Sequence, residues 1–174
     1  MFIKQGEGGI ILATRDELYR KFGLAAEAAQ LFETELSSLL LGAKGLESGW
    51  HIEPNPESAR ETLNQIDRHT LGKLLSELRL IVDFEDKLAD LYVSALNARN
   101  RLAHGFFERH NFKIQTDDGR DEMIVDLETL HQELFIAWQI TSTITKAMVE
   151  IISEKKVTGV KLSIKNLRVD LSES

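Results

Sequence analysis

Between residues 120 and 154 the chain sets Leu127, Leu130, Leu134, Trp138, Ile144, Met148 and Ile151 at three- and four-residue steps. Apolar residues at that period line one stripe of a helix, and most helical stability in water comes from packing such a stripe against other elements. Only two prolines and 7% aromatic residues accompany it, a composition that favours helices over a sandwich or barrel. The expected fold class is all-α.

The rest of the chain divides at its breakers. Thr14-Arg15-Asp16-Glu17 has capping-box spacing for a helix start. That helix is expected to reach about Leu41, with an interruption at Gly23 left open, and to end in the series Gly42, Gly45, Gly49 before Trp50. Pro54 and Pro56 introduce a short helix near 57–67, and Thr70 caps another over 70–81. A longer helix is expected over 83–107, then a turn at Gln115-Thr116-Asp117-Asp118-Gly119 before the long helix. In the tail, Val160, Leu162 and Ile164, then Leu167, Val169 and Leu171, alternate with polar residues, which predicts a short strand or extended arm. The expected organisation is an extended or flexible lead-in over 1–13, a four- to five-helix up-and-down bundle over 14–155, and a basic arm over 156–174.

Composition excludes several function classes. No apolar run approaches the roughly 18 residues that cross a bilayer, so no membrane span is expected. The N-terminus lacks the basic-then-apolar pattern of a secretory leader, so the expected location is the cytoplasm. With no cysteines, thiolate catalysis, disulfides and Cys-based zinc sites are excluded. His51, His69 and His131 are dispersed without ligand spacing, so neither a metal nor a cofactor is expected. Gly6, Gly8 and Gly9 are not followed by the Lys-Ser/Thr pair of a phosphate-binding loop. The net charge of −7 disfavours non-specific coating of nucleic acid. Residues 155–169 hold five cations and no acid, leaving −12 on the remainder, so any contact with nucleic acid has to be local. That basic stretch is read either as an RNA or acidic-partner contact or as a solvated edge.

The candidate chemistry lies in Ala98-Arg99-Asn100-Arg101-Leu102-Ala103-His104-Gly105-Phe106-Phe107. On a helix, Leu88, Tyr92, Ala95, Leu96, Ala103, Phe106 and Phe107 fall within about 80° of Arg99, which places Arg99 in the middle of the apolar stripe. Arg101 is expected on the opposite, solvated side. Asn97, Asn100 and His104 share a polar strip about 60° wide, interrupted by Val93. An arginine cannot neutralise itself on burial, so Arg99 needs either a carboxylate on a neighbouring helix or an interface. Asn100, four residues before His104, is placed to bond its imidazole and fix the tautomer. Arg109 and His110 are read either as holding flanking phosphates or as facing solvent.

Arg99-Asn100-x-x-x-His104 resembles the Arg-x4–6-His motif, with Asn beside Arg, of the HEPN superfamily of small helical proteins. The setting is similar too: a long helix ending in Arg-Asn-Arg-Leu-Ala-His-Gly-Phe-Phe, then a long C-terminal helix. Thr70-Leu71-Gly72-Lys73-Leu74-Leu75 also resembles a segment of bacterial members. The likeness extends over residues 15–155, although only the motif of about ten residues is specific. The resemblance implies a four- or five-helix bundle that forms a homodimer with its motifs facing each other. It further implies a metal-independent endoribonuclease, acting as a toxin or in phage defence, with Arg99, Asn100 and His104 as catalytic residues. Implied partners are an RNA substrate and an antitoxin or other protein. Other members of the superfamily are non-catalytic interaction modules, and this alternative stays open. The arm after 155 is not part of the usual bundle.

Overall fold

The structure is a computed structural model and describes residues 13–156. The lead-in before Ala13 and the arm after Lys156, with the strand expected in it, lie outside the described residues. The five helices are α1 (Arg15–Glu47), α2 (Pro56–Ile66), α3 (Leu71–Ile81), α4 (Asp86–His110) and α5 (Asp117–Lys156), with a 3-10 turn over Asn111–Gln115 before α5. Among the described residues there is no strand, and the all-α expectation holds.

The side chains fix the directions. Lys21 pairs with Glu128 near the start of α1, and Gly42 meets Met148 near its end, so α1 and α5 run parallel and side by side. α4 runs the opposite way, with Phe106 against Phe22 and Arg99 against Glu33. α3 is antiparallel to α4: Gly72 lies by Leu96, and Arg79 reaches the Ala89 carbonyl. Leu18, Phe32, Leu36 and Leu40 of α1 are fully buried, as are Leu78 of α3, Tyr92 of α4 and Met123, Leu127 and Leu130 of α5. Glu77 of α3 gathers Lys44 of α1, His69 and Lys73, which ties α3 to the second half of α1. The Lys44 ammonium bonded to it holds the Glu77 carboxyl below the usual carboxylate range, against the opposing effect of partial burial.

Helix starts follow the sequence closely. Thr14 Oγ1 accepts the Glu17 amide at 3.1 Å, Asn55 Oδ1 accepts that of Ser58 at 3.0 Å, and Thr70 Oγ1 that of Lys73 at 3.4 Å. Ends follow less closely. α1 passes Gly23 without a break and continues through Gly42 and Gly45 to Glu47. A Cβ at Gly45 would stand 2.8 Å from Trp50 Cε3, and one at Gly42 would strike Met148. Those two glycines therefore admit close neighbours rather than end the helix. The turn comes at Gly49, whose φ is +74°. α4 extends three residues past the expected end, to His110, and stops at Asn111, the one described non-glycine residue with positive φ (43°). α5 begins within the expected turn, because Thr116 Oγ1 accepts the Gly119 amide at 3.1 Å and Asp117 and Asp118 suit a helix N-terminus. Arg120 then clamps this end of the bundle, donating to the carbonyls of Ala13 at 2.6 Å and Ile114 at 3.0 Å.

Tyr92 sets the register of α4 on α5. Its hydroxyl lies 3.0 Å from Thr141 Oγ1, which donates to the Ala137 carbonyl at 2.7 Å, so Tyr92 is the donor of the pair. Burial pushes its phenol up to about 12. No helix of the described residues is long and apolar enough to cross a membrane.

Candidate functional site

α4 buries Tyr92, Ala95, Ala98, Leu102, Phe106 and His110. On helical geometry the centre of that set is turned about 30° from Arg99. Arg99 thus stands inside the apolar stripe but toward one border of it, with 24% of its side chain exposed. α1 supplies the rest of the border. Its Glu33 accepts a hydrogen bond from Arg99 Nε at 2.6 Å, so the arginine has the inter-helix carboxylate that burial demands.

That pairing uses one edge of the guanidinium and leaves NH1 pointing at the polar strip. NH1 lies 3.4 Å from Asn100 Oδ1 and 3.3 Å from His104 Nε2. Asn100 and His104 are both exposed. The three motif residues therefore come together, although the link differs from the one expected from spacing: Arg99, not Asn100, meets the imidazole. For Arg99 to donate there, Nε2 must carry its lone pair, which assigns the proton of a neutral ring to Nδ1. The arrangement sets a fixed cation, an amide and an imidazole on one open surface, the groups needed to hold a phosphate and move a proton beside it.

The other predicted residues are placed differently. Arg101 is not simply solvated, since its NH2 pairs with Asp126 Oδ1 of α5 at 2.5 Å. His110 neither faces solvent nor stands where a flanking phosphate would lie. It is 7% exposed, its ring rests 4.7 Å from that of Phe106, and Nε2 is 2.8 Å from Asp126 Oδ2. The extra turn of α4 beyond residue 107 is what carries His110 into the interior. Arg109 is exposed but stands about 140° around the helix from His104, so within one chain it does not join the cluster. His51, His69 and His131 stay apart, and among the described residues no three His, Asp or Glu side chains are grouped to hold a metal ion.

Glu33 is the site residue that sequence reasoning did not name. Its signal is faint: a carboxylate following Ala26 and Ala29 on a ridge of α1 that otherwise carries small residues. Nothing in the local pattern tells which of the chain's many acids an apolar-border arginine will select.

Compared with known proteins, the chain matches no family model, no curated protein and no solved structure.

Proposed function

We propose that the chain is a metal-independent endoribonuclease of HEPN type whose active site is completed by a second copy of itself. The observation that supports this reading is the contact of Arg99 with both Asn100 and His104 on an exposed face of α4. In this reading His104 Nε2 takes the proton of a ribose 2′-OH, and the oxygen attacks the adjacent phosphorus. Arg99 neutralises the charge that develops on the phosphorane, and the departing 5′-oxygen leaves with a proton. Arg99 NH1 covers the Nε2 lone pair in the free chain. An incoming phosphate that draws the guanidinium to itself therefore also uncovers the base. One chain supplies one motif histidine, while the reaction calls for a base and an acid. A two-fold pair with α4 facing α4 supplies both.

The test is cleavage of a fluorescent single-stranded RNA in EDTA, with mass in solution measured by light scattering. The expected result is a species of twice the chain mass that yields 2′,3′-cyclic phosphate and 5′-hydroxyl ends. Activity that requires an added divalent ion, or a monomer throughout the micromolar range, overturns the reading. The biological role proposed with it is that of a toxin or defence effector, and growth arrest on induced expression of the full chain tests that part.

A second reading rests on the Arg99–Glu33 ion pair, which ties down the cation that a phosphate would need. In a non-catalytic interaction module that pair is structural, and no RNA is cleaved under any condition.

A further inference from the structure

The face of α4 that carries Asn100 and His104 continues into an aromatic side chain. Phe107 follows His104 by three residues and Asn100 by seven, so all three lie within an arc of about 60°, and Phe107 is only about 4.5 Å along the axis from His104. Its ring is 43% exposed yet firmly braced, with Phe106 edge-on at 5.3 Å and Phe22 of α1 tilted at 5.2 Å. Phe22 and Phe106 are themselves in contact at 5.8 Å, with Phe106 buried, so the brace is part of the core.

The charge around this ring bears on what it can bind. The chain carries −7 overall. Among the described residues, Arg99 is paired with Glu33, Arg101 with Asp126, Lys21 with Glu128 and Lys113 with Glu122, while the exposed Arg109 projects about 160° around α4 from Phe107. A protein that holds single-stranded nucleic acid by tracking phosphates needs unpaired cations in a row, and the described residues around this ring do not present such a row. A braced, half-open aromatic ring beside the reacting groups provides affinity of a different kind. Every base has a π-face, so stacking is tolerant of sequence.

We infer that Phe107 is the stacking platform for the nucleobase next to the scissile phosphate, and that the substrate class is single-stranded RNA with an unstacked base. The inference rests on the ribonuclease reading and adds a substrate-positioning residue to it. Binding that depends on one stacked ring and few phosphates weakens only gently with salt.

The experiment measures fluorescence anisotropy of a fluorescein-labelled, mixed-sequence single-stranded RNA decamer, using the full chain with His104→Ala to prevent turnover. Phe107→Ala is expected to weaken binding about 5- to 150-fold, the range for loss of one stacked base. Phe107→Trp is expected to bind at least as tightly as the parent, with circular dichroism and mass in solution unchanged for both. Phe107→Ala binding as tightly as its parent overturns the inference and leaves the ribonuclease reading standing. A Phe107→Ala chain that turns from dimer to monomer also overturns it, because the ring's occupant is then a second copy. A parent that binds no RNA, from a wild type that cleaves none, removes both.

Discussion

Arg99 and Glu33 stand 66 residues apart in the chain and 2.6 Å apart in the fold. Their contact ties α4 to α1 at the point where the candidate chemistry sits, and it orients Arg99 NH1 toward His104. Both side chains keep partial contact with water, so the pair contributes at most about 1 kcal/mol to stability. Its larger effect is on aim. Glu33→Gln keeps an acceptor for Nε and is expected to retain most cleavage, whereas Glu33→Ala lets the guanidinium swing and lowers kcat. Equal activity in both variants, measured on the same fluorescent RNA, would show that Glu33 does not position Arg99.

His104 is exposed at the surface and lies outside the buried core. His104→Ala is expected to lower RNA cleavage by ~10²–10⁴, the usual worth of a general acid or base. Helicity and melting temperature should stay close to wild type. Unchanged cleavage would remove His104 from the mechanism.

Asp126 holds Arg101 and His110 together, one on each carboxylate oxygen. Asp126→Ala leaves a buried imidazole and a half-buried guanidinium without their partner, and is expected to cost about 1–3 kcal/mol in urea unfolding. Arg101→Ala is therefore a stability substitution, and Arg109→Ala is the better surface control for activity measurements. A Asp126→Ala chain as stable as wild type would show that water replaces the carboxylate without loss.

Glu77 gives the fold a dependence on acid. Its carboxyl is held below 4.5 by Lys44, with Lys73 and His69 adding to the effect. A depressed carboxyl stabilises the fold above its unfolded value, and that contribution is lost as the pH falls through the folded one. Thermal unfolding between pH 6 and pH 3 should therefore show a decline that is shallower in Glu77→Gln. Parallel curves for the two chains would assign the acid sensitivity elsewhere.

The parts of the fold written in local chemistry could be read from the sequence. Caps at Thr14 and Thr70 and the apolar stripe from Leu127 to Met148 depend on residues within a few positions of one another. The end of α1 could not be read in that way, because a glycine that stops a helix and a glycine that admits a neighbour look alike. The difference at Gly42 and Gly45 is set by Met148 and Trp50, and Met148 arrives from the far end of the described chain. The motif on α4 divides along the same line. Helical spacing placed Asn100 and His104 on one strip, but the reach of Arg99 to both and the rotation of the buried stripe depend on how α4 meets α1 and α5. That rotation sets Arg99 off the centre of the stripe, and the tertiary pairing with Asp126 goes with His110 pointing inward.

The first and longest helices, α1 and α5, are direct neighbours in the bundle although the rest of the described fold separates them in the chain. Sixty-nine residues divide Glu47 from Asp117. At ribosomal rates of roughly 5–20 residues per second, α5 begins to emerge about 4–14 s after α1 is complete. Throughout that interval the face of α1 bearing Leu18, Phe32, Leu36 and Leu40 has no α5 to cover it. The nascent chain thus leaves that apolar face open until the helix that closes the core has been made.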